Sequence, residues 1–253
     1  MNRKLLMPYL TGGLTPDWAD HLRAFADAGA DLVEVGLPFS DPTLDGATVQ
    51  EANAAALARG ATARGILDGL TRLAAGLPPL VVSTYSNLAL RDGFTAALGA
   101  AGVTGLLVPD LPLDEADALS AAAAGAGVDL ALLAAPSTPP ERLAEIGRRS
   151  RGFVYAVSLM GTTGERAELS GSAATLVGRI RAATDLPVLL GFGVSTPAHA
   201  AAAARCADGV IVGAAVVRRV LDGAGPSDTA AFLATMRRAL DELHEFHEEE
   251  GPP

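Results

Sequence analysis

The sequence has little of several residue types, and each shortage excludes a class of protein. Its one cysteine, Cys206, rules out a disulfide within the chain, which fits a reducing cytoplasm. Lysine and arginine total 19 against 29 acidic residues, and the net charge of −10 disfavours nucleic-acid binding by a broad basic face. No apolar run can span a bilayer without charges or breakers, and the N-terminus lacks the long apolar segment of a signal peptide. We therefore expect a cytoplasmic protein that binds neither nucleic acid nor membranes.

Aromatic residues are also scarce, at 4%, whereas hydrophobic residues make up 49% of the 253 positions. The dominance of alanine, glycine and leucine favours closely packed helices around a sheet, and the length fits one barrel of alternating strands and helices. We expect residues 1–248 to form this single domain. The last residues, 249–253, follow an acidic stretch and end in Gly-Pro-Pro, which predicts a frayed tail.

Apolar, β-branched runs alternate about eight times with alanine- and leucine-rich helical stretches. This alternation predicts parallel strands joined by right-handed crossovers, closed as a TIM (β/α)8 barrel. An open doubly wound sheet is the alternative, but Leu10-Thr11-Gly12-Gly13 does not match the glycine-rich fingerprint that such sheets carry after their first strand. The predicted strands are Leu5–Thr11, Asp31–Gly36, Leu80–Tyr85, Gly105–Pro109, Asp129–Ala134, Gly152–Ser158, Pro187–Gly191 and Gly209–Val212.

Three carboxylates surround the exit of the second predicted strand. Glu34 lies inside the apolar run, and Asp41 and Asp45 follow in the loop. If Glu34 faces the barrel interior, desolvation raises its pKa towards neutrality and suits it to proton transfer. The alternative is a structural glutamate paired with an arginine or with backbone donors. Asp41 and Asp45 also fit ordinary turn chemistry.

Glycine-rich loops follow the last three predicted strands, at residues 159–164, 191–195 and 213–215. Glycines before a helix N-terminus give backbone N–H groups close access to an anion, and late βα loops form the usual phosphate site of a TIM barrel. Each loop alone fits a tight turn. Together they favour phosphate binding.

Four motifs resemble the tryptophan synthase alpha subunit family, in the family's order and across nearly the whole chain. They are VEVGLPFSDP at 33–42 followed by Asp45-Gly46, VPDLP at 108–112, SLMGTTG at 158–164 and GFGVS at 191–195. The resemblance implies cleavage of indole-3-glycerol phosphate to indole and glyceraldehyde 3-phosphate. It also implies no metal or organic cofactor in this subunit, and a pyridoxal-phosphate-dependent beta subunit as partner in an αββα complex.

The same resemblance assigns roles by motif position. Glu34 would be the proton shuttle, Asp45 would polarise the indole N–H, and Asp41 would face the partner. The remaining site residues would line the indole pocket (Tyr9 and Tyr85), lie near Glu34 and the closing loop (Tyr155 and Thr163) or hold the phosphate (Gly164, Phe192, Gly193 and Gly213).

Two departures from the family pattern bear on these roles. Ala214 stands where the family usually has serine, so a phosphate would keep the amide but lose a hydroxyl, a difference of about 0.5–1.5 kcal/mol. The usual helix before the first strand is shortened or absent, which leaves the barrel bottom to other residues. Two further hypotheses therefore stay open: a stand-alone lyase that releases free indole, and a non-catalytic barrel that acts as a binding or activating subunit.

Overall fold

The computed structural model describes residues 3–157, 166–191 and 193–249. Within these ranges eight parallel strands close into a barrel in chain order, with β8 paired to β1. The predicted TIM barrel is therefore confirmed. The strands are β1 Leu5–Thr11, β2 Val33–Gly36, β3 Leu80–Ser83, β4 Val103–Leu107, β5 Asp129–Ala134, β6 Val154–Val157, β7 Val188–Gly191 and β8 Gly209–Val212.

Helices surround the barrel and connect successive strands. Between Tyr85 and Phe94 the sequence pattern missed a short helix, α4, because four residues are too few to show a helical period. The helices are α1 Trp18–Asp27, α2 Ala47–Ala58, α3 Ala63–Leu73, α4 Ser86–Ala89, α5 Phe94–Ala100, α6 Ala116–Gly125, α7 Pro140–Arg149, α8 Arg166–Arg181, α9 Pro197–Ala204, α10 Ala214–Leu221 and α11 Pro226–Glu249, with 3₁₀ turns at Ala74–Gly76 and Leu113–Glu115.

The barrel interior is filled by side chains of alternate strand residues, as the pleat of a strand requires. Leu32 packs against this interior cluster, and Glu34 lies two residues further along the same strand direction, on the same face. Glu34 therefore points into the barrel, as its parity with Leu32 predicts. The cluster consists of Met7, Val81, Leu107, Ala131, Phe153, Leu189 and Ile211.

Charged side chains cover part of the barrel bottom, where the strands begin. Arg237 of α11 donates from Nη1 to the Lys4 carbonyl oxygen at 2.9 Å and pairs with Asp31 Oδ2 at 3.0 Å. Asp31 also accepts from the Leu6 N–H at 2.8 Å and pairs with Arg3 at 3.2 Å. These bonds tie the start of β1 to the segment before β2 and to the last helix. Among the described helices, none combines the length and apolarity that a bilayer crossing needs.

Candidate active site

The carboxyl ends of the strands surround a cavity with two lobes, and the same four side chains line both. These are Tyr9, Glu34, Asp45 and Tyr155. The larger lobe has a volume of about 340 Å³ and the smaller one about 220 Å³. A molecule that occupies both lobes must therefore pass beside Glu34 and Asp45.

Glu34 is a carboxyl group buried in the barrel, with 6% of its surface exposed. Burial raises the pKa of Glu34 to about 7; a hydrogen bond from the Ser83 side chain opposes this rise, and the nearby Asp45 adds to it. No arginine is among the described residues that line either lobe. The environment therefore favours a proton-transferring carboxyl over a structural ion pair.

Asp45 lies in the loop after β2 and is held by side chains from two other elements. Tyr85 Oη donates to Asp45 Oδ2 at 3.2 Å, and Asn53 Nδ2 of α2 donates to the same oxygen at 3.4 Å. Burial raises the pKa of Asp45, and these two hydrogen bonds act against that rise. Asp45 is therefore an oriented carboxylate at the junction of the lobes, more than an ordinary turn residue.

Two tyrosines reach the mouth because a glycine on a neighbouring strand leaves room for each ring. A Cβ added to Gly36 would lie 2.2 Å from Tyr9 Oη, and one added to Gly191 would lie 2.2 Å from Tyr155 Oη. Tyr9 is hydrogen-bonded to Thr11 at 3.1 Å. Burial raises the pKa of both phenols, so both stay neutral and can act as hydrogen-bond donors. Gly191, predicted as part of a phosphate loop, therefore also makes room for a ring.

The larger lobe is mostly apolar and is closed by loops after several strands. Tyr85, which lines this lobe, stacks on Phe39 with ring centroids 4.8 Å apart. Such a lobe suits a flat aromatic group. Its apolar lining includes Leu37, Leu107, Pro109, Leu133, Ala134 and Val157.

The smaller lobe is lined by the glycine loops that follow β7 and β8. Gly193 has a left-handed backbone with φ +80°, and Gly213 is the N-cap of α10, followed by Ala214. The free N–H groups at a helix N-terminus are donors for an anion. The lobe therefore brings together the predicted phosphate residues Gly193, Gly213 and Ala214.

The other predicted site residues fall into two groups. Asp41 is exposed and accepts a hydrogen bond from Ser40 Oγ at 2.6 Å, away from both lobes. Thr163, Gly164 and Phe192 lie outside the described residues. Their predicted contacts with the closing loop and the phosphate stay predictions.

Sequence reasoning missed Asn53 and Ser83, which contact the two carboxylates. Asn53 is 3% exposed, and its Oδ1 has no hydrogen-bond partner among the described residues. A buried amide in an alanine-rich helix was the available signal. The Ser83 contact depends on register, since Ser83 of β3 is the partner of Gly36, two residues after Glu34.

Comparisons with known proteins find a matching family model, similar sequences and similar structures. A family model described as "Tryptophan synthase alpha chain" matches residues 1–245. The alpha chain of Gloeobacter violaceus is 47% identical over 92% of this chain and 87% of its own, and that of Chloroflexus aurantiacus is 44% identical over 94% and 92%. In solved structures, tryptophan synthase from M. tuberculosis in its aminoacrylate-bound form matches with a TM-score of 0.85 and 39% identity over 94% of both chains. The alpha subunit from Legionella pneumophila matches with a TM-score of 0.85 and 31% identity over 94% and 93%.

Proposed function

Because this chain belongs to the tryptophan synthase alpha chain family, we propose that Glu34 and Asp45 carry out its reaction. The chain is a carbon–carbon lyase of tryptophan biosynthesis that cleaves indole-3-glycerol phosphate to indole and glyceraldehyde 3-phosphate. One observation supports the assignment most strongly: the apolar lobe and the glycine-lined lobe meet at these two carboxyl groups. An indole in the first lobe and a phosphate in the second would put the scissile bond beside them.

Glu34 would move the protons. The bond between indole and glycerol breaks once the ring carbon that carries the glycerol chain is protonated, because the ring then accepts the bonding electrons. A carboxyl group whose pKa is about 7 can hold a proton near neutral pH and release it to that carbon. The resulting carboxylate can then accept the proton of the glycerol hydroxyl whose carbon becomes the aldehyde.

Asp45 would stabilise the positive charge that develops on the indole nitrogen. Its carboxylate can accept a hydrogen bond from the ring N–H, while the hydrogen bonds from Tyr85 and Asn53 to Oδ2 hold the carboxylate in place. A fixed anion placed where charge develops lowers the barrier without reorganisation at the moment of reaction.

The phosphate would anchor the substrate away from the reacting bond. Gly213 and Ala214 supply backbone groups at the α10 N-terminus and Gly193 supplies them from the loop after β7, and we assign Gly164 and Phe192 to the same cradle. Binding energy from this remote group can then orient the indole against Glu34 and Asp45. Tyr9 and Tyr155 would contact the substrate between the two lobes, and Thr163 would act from the loop after β6.

The family name implies a beta subunit, and we propose that Asp41, exposed on the loop after β2, faces it in an αββα complex. The family needs no cofactor of its own, and we propose that this chain uses none and acts in the cytoplasm.

The test is an indole assay on the purified protein with indole-3-glycerol phosphate, run with and without a beta subunit. We expect turnover that the beta subunit increases, and a loss of turnover in Asp45→Asn under both conditions. Equal, strong turnover without the partner would favour the stand-alone lyase. No turnover in either arm would contradict the proposed reaction.

A further inference from the structure

Asp110 is a carboxylate at the mouth of the barrel that does not line either lobe. It follows β4 and is half-buried. Its two oxygens accept hydrogen bonds from Ser86, the first residue of α4, which follows the preceding strand β3: Oδ1 from the Ser86 backbone N–H at 2.8 Å, and Oδ2 from Ser86 Oγ at 2.7 Å. Asp110 therefore caps the first N–H of α4 from outside the helix, where no intrahelical partner exists.

Ser86 directly follows Tyr85, whose ring reaches back over the loop after β2. Tyr85 Oη accepts from the Leu44 N–H at 3.2 Å and donates to Asp45 Oδ2 at 3.2 Å. The Tyr85 carbonyl oxygen accepts from the Leu88 and Ala89 N–H groups, so the start of α4 fixes the tyrosine backbone. Asp110 is thus linked to Asp45 through two hydrogen bonds to Ser86, the peptide bond from Ser86 to Tyr85, and the hydrogen bond of the Tyr85 hydroxyl.

We propose that Asp110 is a positioning residue, which clamps Ser86 so that Tyr85 holds the Asp45 carboxylate in its reactive orientation. The inference rests on the proposed role of Asp45. Both bonds of the clamp end on one residue, so they fix the direction of the chain at Tyr85. A carboxylate displaced by even 1 Å from the ring nitrogen loses much of its effect on the reaction.

The test compares three variants in the indole assay. Asp110→Ala removes both bonds of the clamp. Asp110→Asn keeps an acceptor for the Ser86 N–H and a donor for Ser86 Oγ, but removes the charge. We expect Asp110→Ala to lower kcat about tenfold with less change in KM, and Asp110→Asn to restore most of the activity. Asp114→Ala is the matched control, since Asp114 lies on the same loop, is exposed and pairs with Arg142 at 2.7 Å.

A double-mutant cycle with Tyr85→Phe tests the route. If Asp110 acts through the tyrosine hydroxyl, Asp110→Ala in the Tyr85→Phe background should change kcat less than twofold, far below its effect in the wild type. A full tenfold loss in that background, or equal losses in Asp110→Ala and Asp110→Asn, would overturn the clamp. Should Asp110→Ala fold poorly, Ser86→Ala can replace it, because it removes only the hydrogen bond from Ser86 Oγ. We expect Ser86→Ala to lower kcat about two- to threefold, and only in the protein that retains Tyr85.

A crystal structure of Asp110→Ala gives a readout that does not depend on the reaction. We expect Tyr85 Oη to lie beyond hydrogen-bond distance of Asp45 Oδ2. Unchanged positions of Tyr85 and Asp45 would overturn the inference even if Asp45→Asn is inactive, and an active Asp45→Asn would contradict the proposed function instead.

Discussion

Asp31 lies two residues before β2 and Glu34 lies within it, and the two carboxyl groups have different partners. Asp31 at the barrel bottom is paired with Arg237 at 3.0 Å and Arg3 at 3.2 Å and accepts a backbone N–H. Glu34 at the mouth is more deeply buried, and the hydrogen bond given to it by the described residues comes from Ser83. Asp31, which is paired, holds elements together, whereas Glu34, which no cation of the described residues contacts, has a raised pKa suited to proton transfer.

The largest effect that this comparison predicts is on activity. Glu34→Gln keeps the shape of the side chain but cannot transfer a proton, so we expect kcat to fall by about 10²–10⁴. Indole formation by single turnover, together with circular dichroism of the variant, checks this. Near-normal turnover of a folded Glu34→Gln would remove Glu34 from the mechanism.

The next largest effect is on stability, and it concerns Asp31 at the barrel bottom. Asp31→Ala leaves Arg237, whose side chain is 8% exposed, with Asp241 as its remaining carboxylate partner, and it removes the acceptor of the Leu6 N–H. We expect the free energy of unfolding to fall by about 3 kcal/mol. Urea unfolding measures this. The control is Asp20→Ala, which removes an exposed pair with Arg23 and should cost at most about 1 kcal/mol. Equal losses in the two variants would mean that the bottom cluster has no structural role.

A third prediction concerns how the stability of the protein depends on pH through Glu34. The folded-state pKa of Glu34, about 7, is above its ordinary value of 4.5, so the stability of the wild type should fall as pH rises from about 4.5 to about 7 and level off above that. The free energy of unfolding of Glu34→Gln minus that of the wild type should be roughly 3 kcal/mol larger above pH 8 than at pH 4. Denaturant unfolding across this range is the measurement. A difference that does not vary with pH would refute the raised pKa.

The smallest predicted effect is on substrate binding, from adding a hydroxyl group near the proposed phosphate site. Ala214→Ser adds a hydroxyl beside the proposed phosphate site and should strengthen substrate binding by about 0.5–1.5 kcal/mol, lowering KM about two- to tenfold. The control is Ala122→Ser, at an exposed alanine of α6 that lines neither lobe. An equal change in both variants would contradict a phosphate at the N-terminus of α10.

Much of this architecture was predictable from local sequence, since β1, β5 and β8 end where their apolar runs end. Helix starts are less regular than the hydroxyl residues that precede prolines in the sequence would indicate. Thr196 caps α9 through the His199 N–H, but α1 begins after Asp17 without a side-chain cap, and Thr138 accepts from the Ala135 N–H in the turn before α7. Capping depends on the entry angle of the chain, which proline spacing alone does not fix.

The site was predictable as far as single residues go. Glu34 was detectable as a charge in an apolar run, because burial follows from strand parity. The contacts that shape the site were not predictable, because each joins residues of different strands or loops. These contacts are Tyr9 with Gly36, Ser83 with Glu34, and Asp110 with Ser86. Such contacts follow from barrel register and loop packing, which one sequence does not encode locally.

The most direct test of the account is the titration of Glu34 itself by infrared difference spectroscopy, with Glu34→Gln as the reference. We predict a protonated carboxyl band in the wild type that disappears with a midpoint near pH 7 and is absent from Glu34→Gln. A band that titrates near pH 4.5, or one that persists unchanged in Glu34→Gln, would contradict the claim that the barrel holds Glu34 as a proton donor.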